Sequence, residues 1–209
     1  MPHEIGVAIE LTGDDAAEAM LFAERVSEAV PTTFVLDATR TPHITLWQGR
    51  VPTDTVTMQL LKTLDRVVPS ATFPFELFMA NGLVLRESGN IFWNVHNPTA
   101  LYSAHRHVCD NFVPLTKGLL MPYHAKKLLD ASTPQETKDI IRAFGFSSAG
   151  THFEPHVTIG RVVDADAAAG AISEIISNQY VFKPQSIVLG KLGPYGDIVH
   201  VYKRVPIQR

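Results

Sequence analysis

The sequence predicts a mixed helix–strand fold of the α+β class, and three observations carry that reading. Strand-like apolar runs and capped, alanine-rich helical segments both recur along the chain. In the middle, strand-like runs follow one another with only turn residues between them, which makes a sheet meander. One short word also occurs twice, as Thr41-Pro42-His43-Ile44-Thr45-Leu46 and as Glu154-Pro155-His156-Val157-Thr158-Ile159. After each copy the order is the same: the strand bearing the word, a helix, then further strands, as a duplication would give.

Taken in order, residues 5–11 are a β-rich apolar run closed by Thr12-Gly13, and Asp14 and Asp15 stand where a helix N-cap belongs, ahead of a helix to about residue 30. Residues 34–37 read as a short strand and 43–48 as a second, closed by Gly49. Thr53 or Asp54 caps a helix to about residue 67, stopped by Pro69, which has no N–H to offer. Strands follow at 73–79, 82–86 and 91–95, with Asn81-Gly82 and Ser88-Gly89-Asn90 as turns. Pro98 opens a helix to about residue 112, and residues 113–150 contain one helical piece near 133–144. Strand returns at 156–163, Asp164 or Asp166 caps a helix to about residue 177, and 180–189 and 198–205 finish as strands around Gly193-Pro194-Tyr195-Gly196.

With 209 residues, 45% of them hydrophobic, the chain can bury a substantial core as one domain or two intimate lobes. The only cysteine, Cys109, excludes an intramolecular disulfide and any Cys-based metal set. The first 30 residues carry Glu4, Glu10, Asp14, Asp15 and Glu18 with no basic cluster before an apolar run, and no stretch approaches the roughly 18 apolar residues of a membrane span. A soluble, cytoplasmic monomer without membrane contact is the expectation. A net charge of −3 argues against affinity won by broad neutralisation of a nucleic-acid backbone, so a nucleotide or RNA ligand should be gripped locally, at an end or a single phosphate.

The repeated word carries the chemistry. A strand projects residues i and i+2 to one face, so each copy presents an imidazole and a hydroxyl roughly 7 Å apart, His43 with Thr45 and His156 with Thr158. Two imidazoles are the parts of an acid/base pair, and two hydroxyls are donors suited to the oxygens of one phosphate. Two chance copies in a chain of this composition are expected on the order of once in a thousand. Arg161, three residues after Thr158, supplies a forked, permanently charged donor for a phosphate oxygen or a base edge. The remaining candidates read as structural. His105-Arg106-His107 lies in a helical pattern, where i and i+2 diverge by about 200°, and is assigned to a solvated face. His3, His96, His124 and His200 take surface or satisfied-core roles, whereas His152 sits just ahead of His156 at the same mouth. Cys109 is packed, no Gly-rich phosphate loop is present, and Lys117, Lys126 and Lys127 form a basic stretch whose alternative role is to hold a polyanionic ligand.

The two words, Arg161 and the order of elements resemble the 2H phosphoesterase superfamily, which includes the LigT-like 2′,5′ RNA ligases and the cyclic phosphodiesterases. His43-Ile44-Thr45-Leu46 with Gly49 resembles its first motif, and Pro155-His156-Val157-Thr158-Ile159-Gly160-Arg161-Val162 is similar to its second. The 82–83 and 91–93 strands and Leu192-Gly193-Pro194-Tyr195-Gly196 also look like family elements. The resemblance implies one bilobal domain over residues 1–209: two pseudo-symmetric lobes, each an antiparallel sheet with helices on its outer face, around a central cleft, with an insert or lid at about 113–150. It implies metal-independent hydrolysis of a 2′,3′-cyclic phosphate on a nucleotide or RNA end, with reverse 2′,5′ ligation as a side reaction and no cofactor. His156 would act as base and His43 as acid, while Thr45, Thr158 and Arg161 meet the equatorial oxygens. The alternatives are a non-catalytic binder of nucleotides or RNA ends, or a related hydrolase of a cyclic oligonucleotide or an ADP-ribose cyclic phosphate. One departure from the pattern is Trp47-Gln48, where family members often carry an aromatic residue two positions after Leu46.

Overall fold

Strand β1 (His3–Glu10) is buried over its last six residues because it lies mid-sheet, antiparallel to β3 (His43–Val51) on one side and β8 (Ser186–Leu192) on the other, with β9 (Ile198–Pro206) outside β8. The structure, a computed structural model, describes residues 2–53, 58–176 and 180–208. The second half of the sheet is centred on β6 (His156–Val162), flanked by β2 (Thr32–Val35) and β5 (Asn90–Val95), and continues through β4 (Leu77–Leu85) to β7 (Tyr180–Phe182). All pairings are antiparallel, and the two halves meet where Ile44 of β3 faces Val157 of β6. The α+β class therefore holds, with the two lobes' sheets continuous through the repeated words.

Helices α2 (Met58–Ser70) and α3 (Tyr102–Phe112) pack on the β3–β9 half; α1 (Asp14–Ala29) and α6 (Ala165–Ser173) pack on the β4–β6 half. Each half has its indole. Trp47 stacks at a tilt on Phe112 of α3 with ring centres 5.4 Å apart, and Trp93 lies 4.9 Å from Phe22 of α1 and 5.5 Å from Tyr180. Apolar burial of this size on both helix layers is the dominant favourable term in the fold. Asp164 caps α6 by accepting from the Ala167 amide at 3.1 Å, whereas α1 starts from Gly13 at φ 56°, leaving Asp15 to accept from the Tyr180 hydroxyl at 2.9 Å. Among the described residues no helix is long and apolar enough to cross a membrane.

Several boundaries differ from the sequence reading for identifiable reasons. Asn81-Gly82 is not a turn but an irregularity inside β4, where the pairing jumps from Met79–Val95 to Leu83–Trp93 and the Trp93 indole N–H takes the freed Ala80 carbonyl at 2.8 Å. That strand starts at Leu77, after Pro74 and the exposed Phe75. Gly49 does not close β3, which runs to Val51. Helix α2 continues through Pro69 into its last residue, Ser70, whose hydroxyl donates to the Arg66 and Val67 carbonyls. Capping by Asp54 falls outside the described residues, whereas α6 ends at Ser173, short of the expected residue 177, with the Glu174 amide closing on the Ala171 carbonyl. Residues 113–150 hold more order than the pattern promised: a 3₁₀ turn (Val113–Thr116), α4 (Pro122–Leu129) and α5 (Gln135–Phe144). Helix α5 ends at Gly145, at φ 86°, with its amide on the Ile141 carbonyl.

Candidate active site

Both words lie at the seam between the lobes. Ile44 and Val157 face each other with their side chains in the core, and continuing that antiparallel register sets His43 opposite Thr158 and Thr45 opposite His156. All four side chains then share one face, and the two imidazoles are diagonal neighbours, roughly 7–8 Å apart. A local two-fold axis passes between Ile44 and Val157. Thr45, His156 and Thr158 line a cleft of about 210 Å³ together with Gln48, Phe92 and His152; His43 is the most deeply buried of the four.

The two rings are held alike. Nδ1 of His43 lies 2.7 Å from the Thr41 carbonyl and Nδ1 of His156 lies 2.6 Å from the Glu154 carbonyl. A carbonyl only accepts, so each Nδ1 carries the hydrogen and each Nε2 is left to gain or lose a proton. Burial pushes both imidazoles below the ordinary histidine range, His156 to about 4. Their neighbours break the symmetry. The buried carboxylate of Asp197, which accepts from Arg40 at 3.0 Å, favours charge on His43, whereas Arg86 and His43 itself disfavour charge on His156. Phe92 stacks on the His156 ring at 3.6 Å between centres, and Arg86 sits over Phe92 while pairing with Glu154.

A second symmetry follows the words. Each strand has one extra residue after its threonine: Leu46 in β3, where the pairing jumps from Ala8–Thr45 to Val7–Trp47, and Ile159 in β6, where it jumps from Phe92–Thr158 to Ile91–Gly160. A bulge shifts the alternation by one, so the residue five after each histidine, Gln48 or Arg161, returns to the cleft face. Arg161 pairs with Asn90 and lines the opening beside Gln48 and Phe92; among the described residues no carboxylate pairs with its guanidinium. Both bulge carbonyls are taken, Ile159 by the Leu36 amide at 2.8 Å and Leu46 by His105 at 2.7 Å.

His105 is a correction to the sequence reading. It is 2% exposed, donates from Nδ1 to Leu46, accepts the Gly150 amide on Nε2 at 3.1 Å and lies flat on Phe153, ring centres 3.9 Å apart. It faces inward because α3 packs on β3, a fact the helical spacing alone does not give. His105→Phe keeps the stack and strips both hydrogen bonds, and is expected to cost about 2–4 kcal/mol in denaturant unfolding, since two buried backbone groups lose their partner. His105→Gln, which can still donate and accept, should lose less. Equal stability of wild type and His105→Phe would refute the role. His124 is also buried, but its Nδ1 has no partner, so it is neither a surface nor a satisfied-core residue, and burial lowers its pKa to about 4. Cys109 is packed, its thiol pushed up to about 12 by burial. Asp197 and Phe92 were missed as site residues because no spacing links them to the words, and Gln48, five after His43 as Arg161 is five after His156, because plain alternation turns it away from the cleft and only the bulge after Thr45 turns it back. Among the described residues no three His, Cys, Asp or Glu side chains converge on a metal position.

No protein-family model and no curated protein matches the chain. Solved structures do match it along its whole length. TT0787 of Thermus thermophilus is 15% identical with a TM-score of 0.61, covering 98% of this chain and 97% of its own. E. coli LigT complexed with 3′-AMP is 15% identical with a TM-score of 0.57, covering 100% and 99%, and the same protein complexed with ATP gives 14% and 0.55 over 100% of both chains. The fold is LigT-like. At these identities the likeness concerns backbone architecture, and in this chain the seam of that LigT-like fold is where both histidine words lie.

Proposed function

We propose that this protein is a phosphoesterase of the 2H type that opens a 2′,3′-cyclic phosphate on a nucleotide or RNA end by general acid/base catalysis. The observation that carries the reading is the pair of imidazoles related by a local two-fold axis, each with Nδ1 fixed on the carbonyl two residues earlier and Nε2 left for proton transfer. His156, depressed by burial and by Arg86, acts as base: it takes a proton from water as the water oxygen bonds to phosphorus. The bond from phosphorus to one ribose oxygen breaks in line, and that oxygen receives a proton from His43, whose charged form Asp197 favours. The product is a phosphomonoester. Thr45, Thr158 and Arg161 stabilise charge on the equatorial oxygens, a positioned electrostatic contribution. With a ribose 5′-hydroxyl attacking phosphorus in place of water, the same groups form a 2′,5′ bond: His156 takes the hydroxyl proton, the bond from phosphorus to the 3′ oxygen breaks, and that oxygen receives the proton of His43.

The presence of 3′-AMP and ATP in E. coli LigT supports a nucleotide ligand here. We read residues 1–209 as one bilobal domain acting as a cytoplasmic monomer without metal or cofactor, with residues 113–150 as the specificity element, because Phe146 and Ser148 from that segment line the cleft. The test is hydrolysis of 2′,3′-cyclic AMP followed by phosphorus NMR. Turnover should proceed unchanged in excess chelator. Activity lost to chelator and restored by a divalent ion would overturn the metal-free mechanism, and nucleotide binding without any turnover would make the protein a binder.

A further inference from the structure

The cleft does not end at the histidines. It opens into a groove of about 820 Å³ whose walls are the β4–β5 turn, Arg161 and, on the far side, α4 with Tyr123 and Lys127. Gln48, Asn90, Phe92 and Tyr195 line both spaces, so one ligand can run from the first into the second. The cleft alone, at about 210 Å³, is smaller than the roughly 300 Å³ at which sites begin to enclose a whole small molecule. A reacting ribose and phosphate fill it, and whatever is attached to them must lie in the groove.

The groove has the chemistry of a single-stranded nucleic-acid surface. Tyr123 is 61% exposed on α4, and the Lys127 ammonium, which also reaches the Ser147 hydroxyl at 3.4 Å, lies 4.6 Å from its ring centre. The ammonium lies over one face of the ring, so the other face offers a stacking platform while the cation offers a phosphate contact. Of the two acids in the lining, Glu154 is neutralised by Arg86, which leaves Lys127 and Arg161 against Glu87 and makes the groove cationic in a chain of net charge −3. The basic stretch of Lys117, Lys126 and Lys127, whose alternative role in the sequence is to hold a polyanionic ligand, thus has Lys127 on the groove wall.

We propose that the α4 wall is the subsite for the nucleotide on the 5′ side of the one that bears the reacting phosphate, so that the substrate is an oligoribonucleotide end and not a free cyclic mononucleotide. The inference rests on the hydrolytic reading above for its reaction, but not for its binding. The experiment compares kcat/KM for a dinucleotide with a 2′,3′-cyclic end against the matching 2′,3′-cyclic mononucleotide, and separately the affinity for a dinucleotide ending in a 3′-phosphate. The wild type should favour the cyclic dinucleotide by roughly tenfold or more, the size of one base–aromatic stack. Tyr123→Ala should bring that ratio close to one, Tyr123→Phe should keep it, and Lys127→Ala should lower it and flatten its salt dependence. The exposure of Tyr123 makes truncation harmless to the fold. A ratio near one in the wild type, or a high ratio untouched by Tyr123→Ala, overturns the subsite even if the mononucleotide is hydrolysed. If neither substrate turns over but 3′-phosphorylated dinucleotide binds in a Tyr123-dependent way, the hydrolytic reading fails and the subsite stands.

Discussion

Replacing His43 or His156 by alanine is expected to lower kcat/KM on a 2′,3′-cyclic phosphate by a hundredfold or more, each removing one of the two proton-transfer groups. The double variant should lose little beyond either single one, because an acid without its base, or a base without its acid, leaves the same step blocked. Thr45→Ala, Thr158→Ala and Arg161→Ala should each cost less, since each deletes one donor among several, and the two threonine losses should not add. The pH profile gives the sharper check. Catalysis from the free enzyme needs His43 protonated and His156 neutral. Burial lowers both pKa values, so the alkaline limb of kcat/KM falls below pH 6.5, where His43 gives up its proton, and the acid limb falls near pH 4, where His156 gains one. The optimum should therefore lie on the acid side of pH 6.5. Bound anionic phosphate favours the imidazolium, so the kcat profile should be displaced to higher pH than that of kcat/KM, and substrate binding at pH 7 should take up a proton, measurable by calorimetry in buffers of different ionisation enthalpy. A flat kcat/KM between pH 5 and 8, or a His156→Ala variant of unchanged rate, would sink the two-histidine mechanism.

The largest stability loss is expected from Trp93→Ala. Trp93 is fully buried between Phe22 and Tyr180, and its indole N–H satisfies the Ala80 carbonyl inside the β4 irregularity. Truncation leaves a large cavity and an unpaired carbonyl together, which amounts to about 3–5 kcal/mol. A domain of this size is stable by only about 5–15 kcal/mol, so the melting temperature should drop on the order of 10 °C. Activity should suffer in the folded fraction too, because Phe92, the preceding residue on β5, points the other way and braces His156. Trp93→Phe, which keeps most of the packing and loses the N–H, should recover much of the loss. A change in urea unfolding below about 1 kcal/mol for the alanine variant would contradict the packing.

Sequence by itself determined which residues meet. Period-two alternation puts His43 with Thr45 and His156 with Thr158 on one face each, and the recurrence of the word implied that the faces oppose; Asp164, one of two proposed caps, heads α6 as local chemistry requires. Those features depend on neighbours within a few positions of the chain. The tertiary structure decided what depends on distant partners. Simple alternation from Thr158 would turn Arg161 away from the cleft, and only a bulge, visible as a register slip against β5, turns it back. His105 reads as a solvated helix position until α3 docks on β3 and supplies Leu46, Gly150 and Phe153 to its two nitrogens and its face. Asp197, whose charge favours the His43 imidazolium while Arg86 opposes that of His156, lies 154 positions from His43 in the chain and acts on it only through space. Alternation is a local property of the backbone, whereas register, docking and the field at an imidazole are set by whichever segments the core brings alongside.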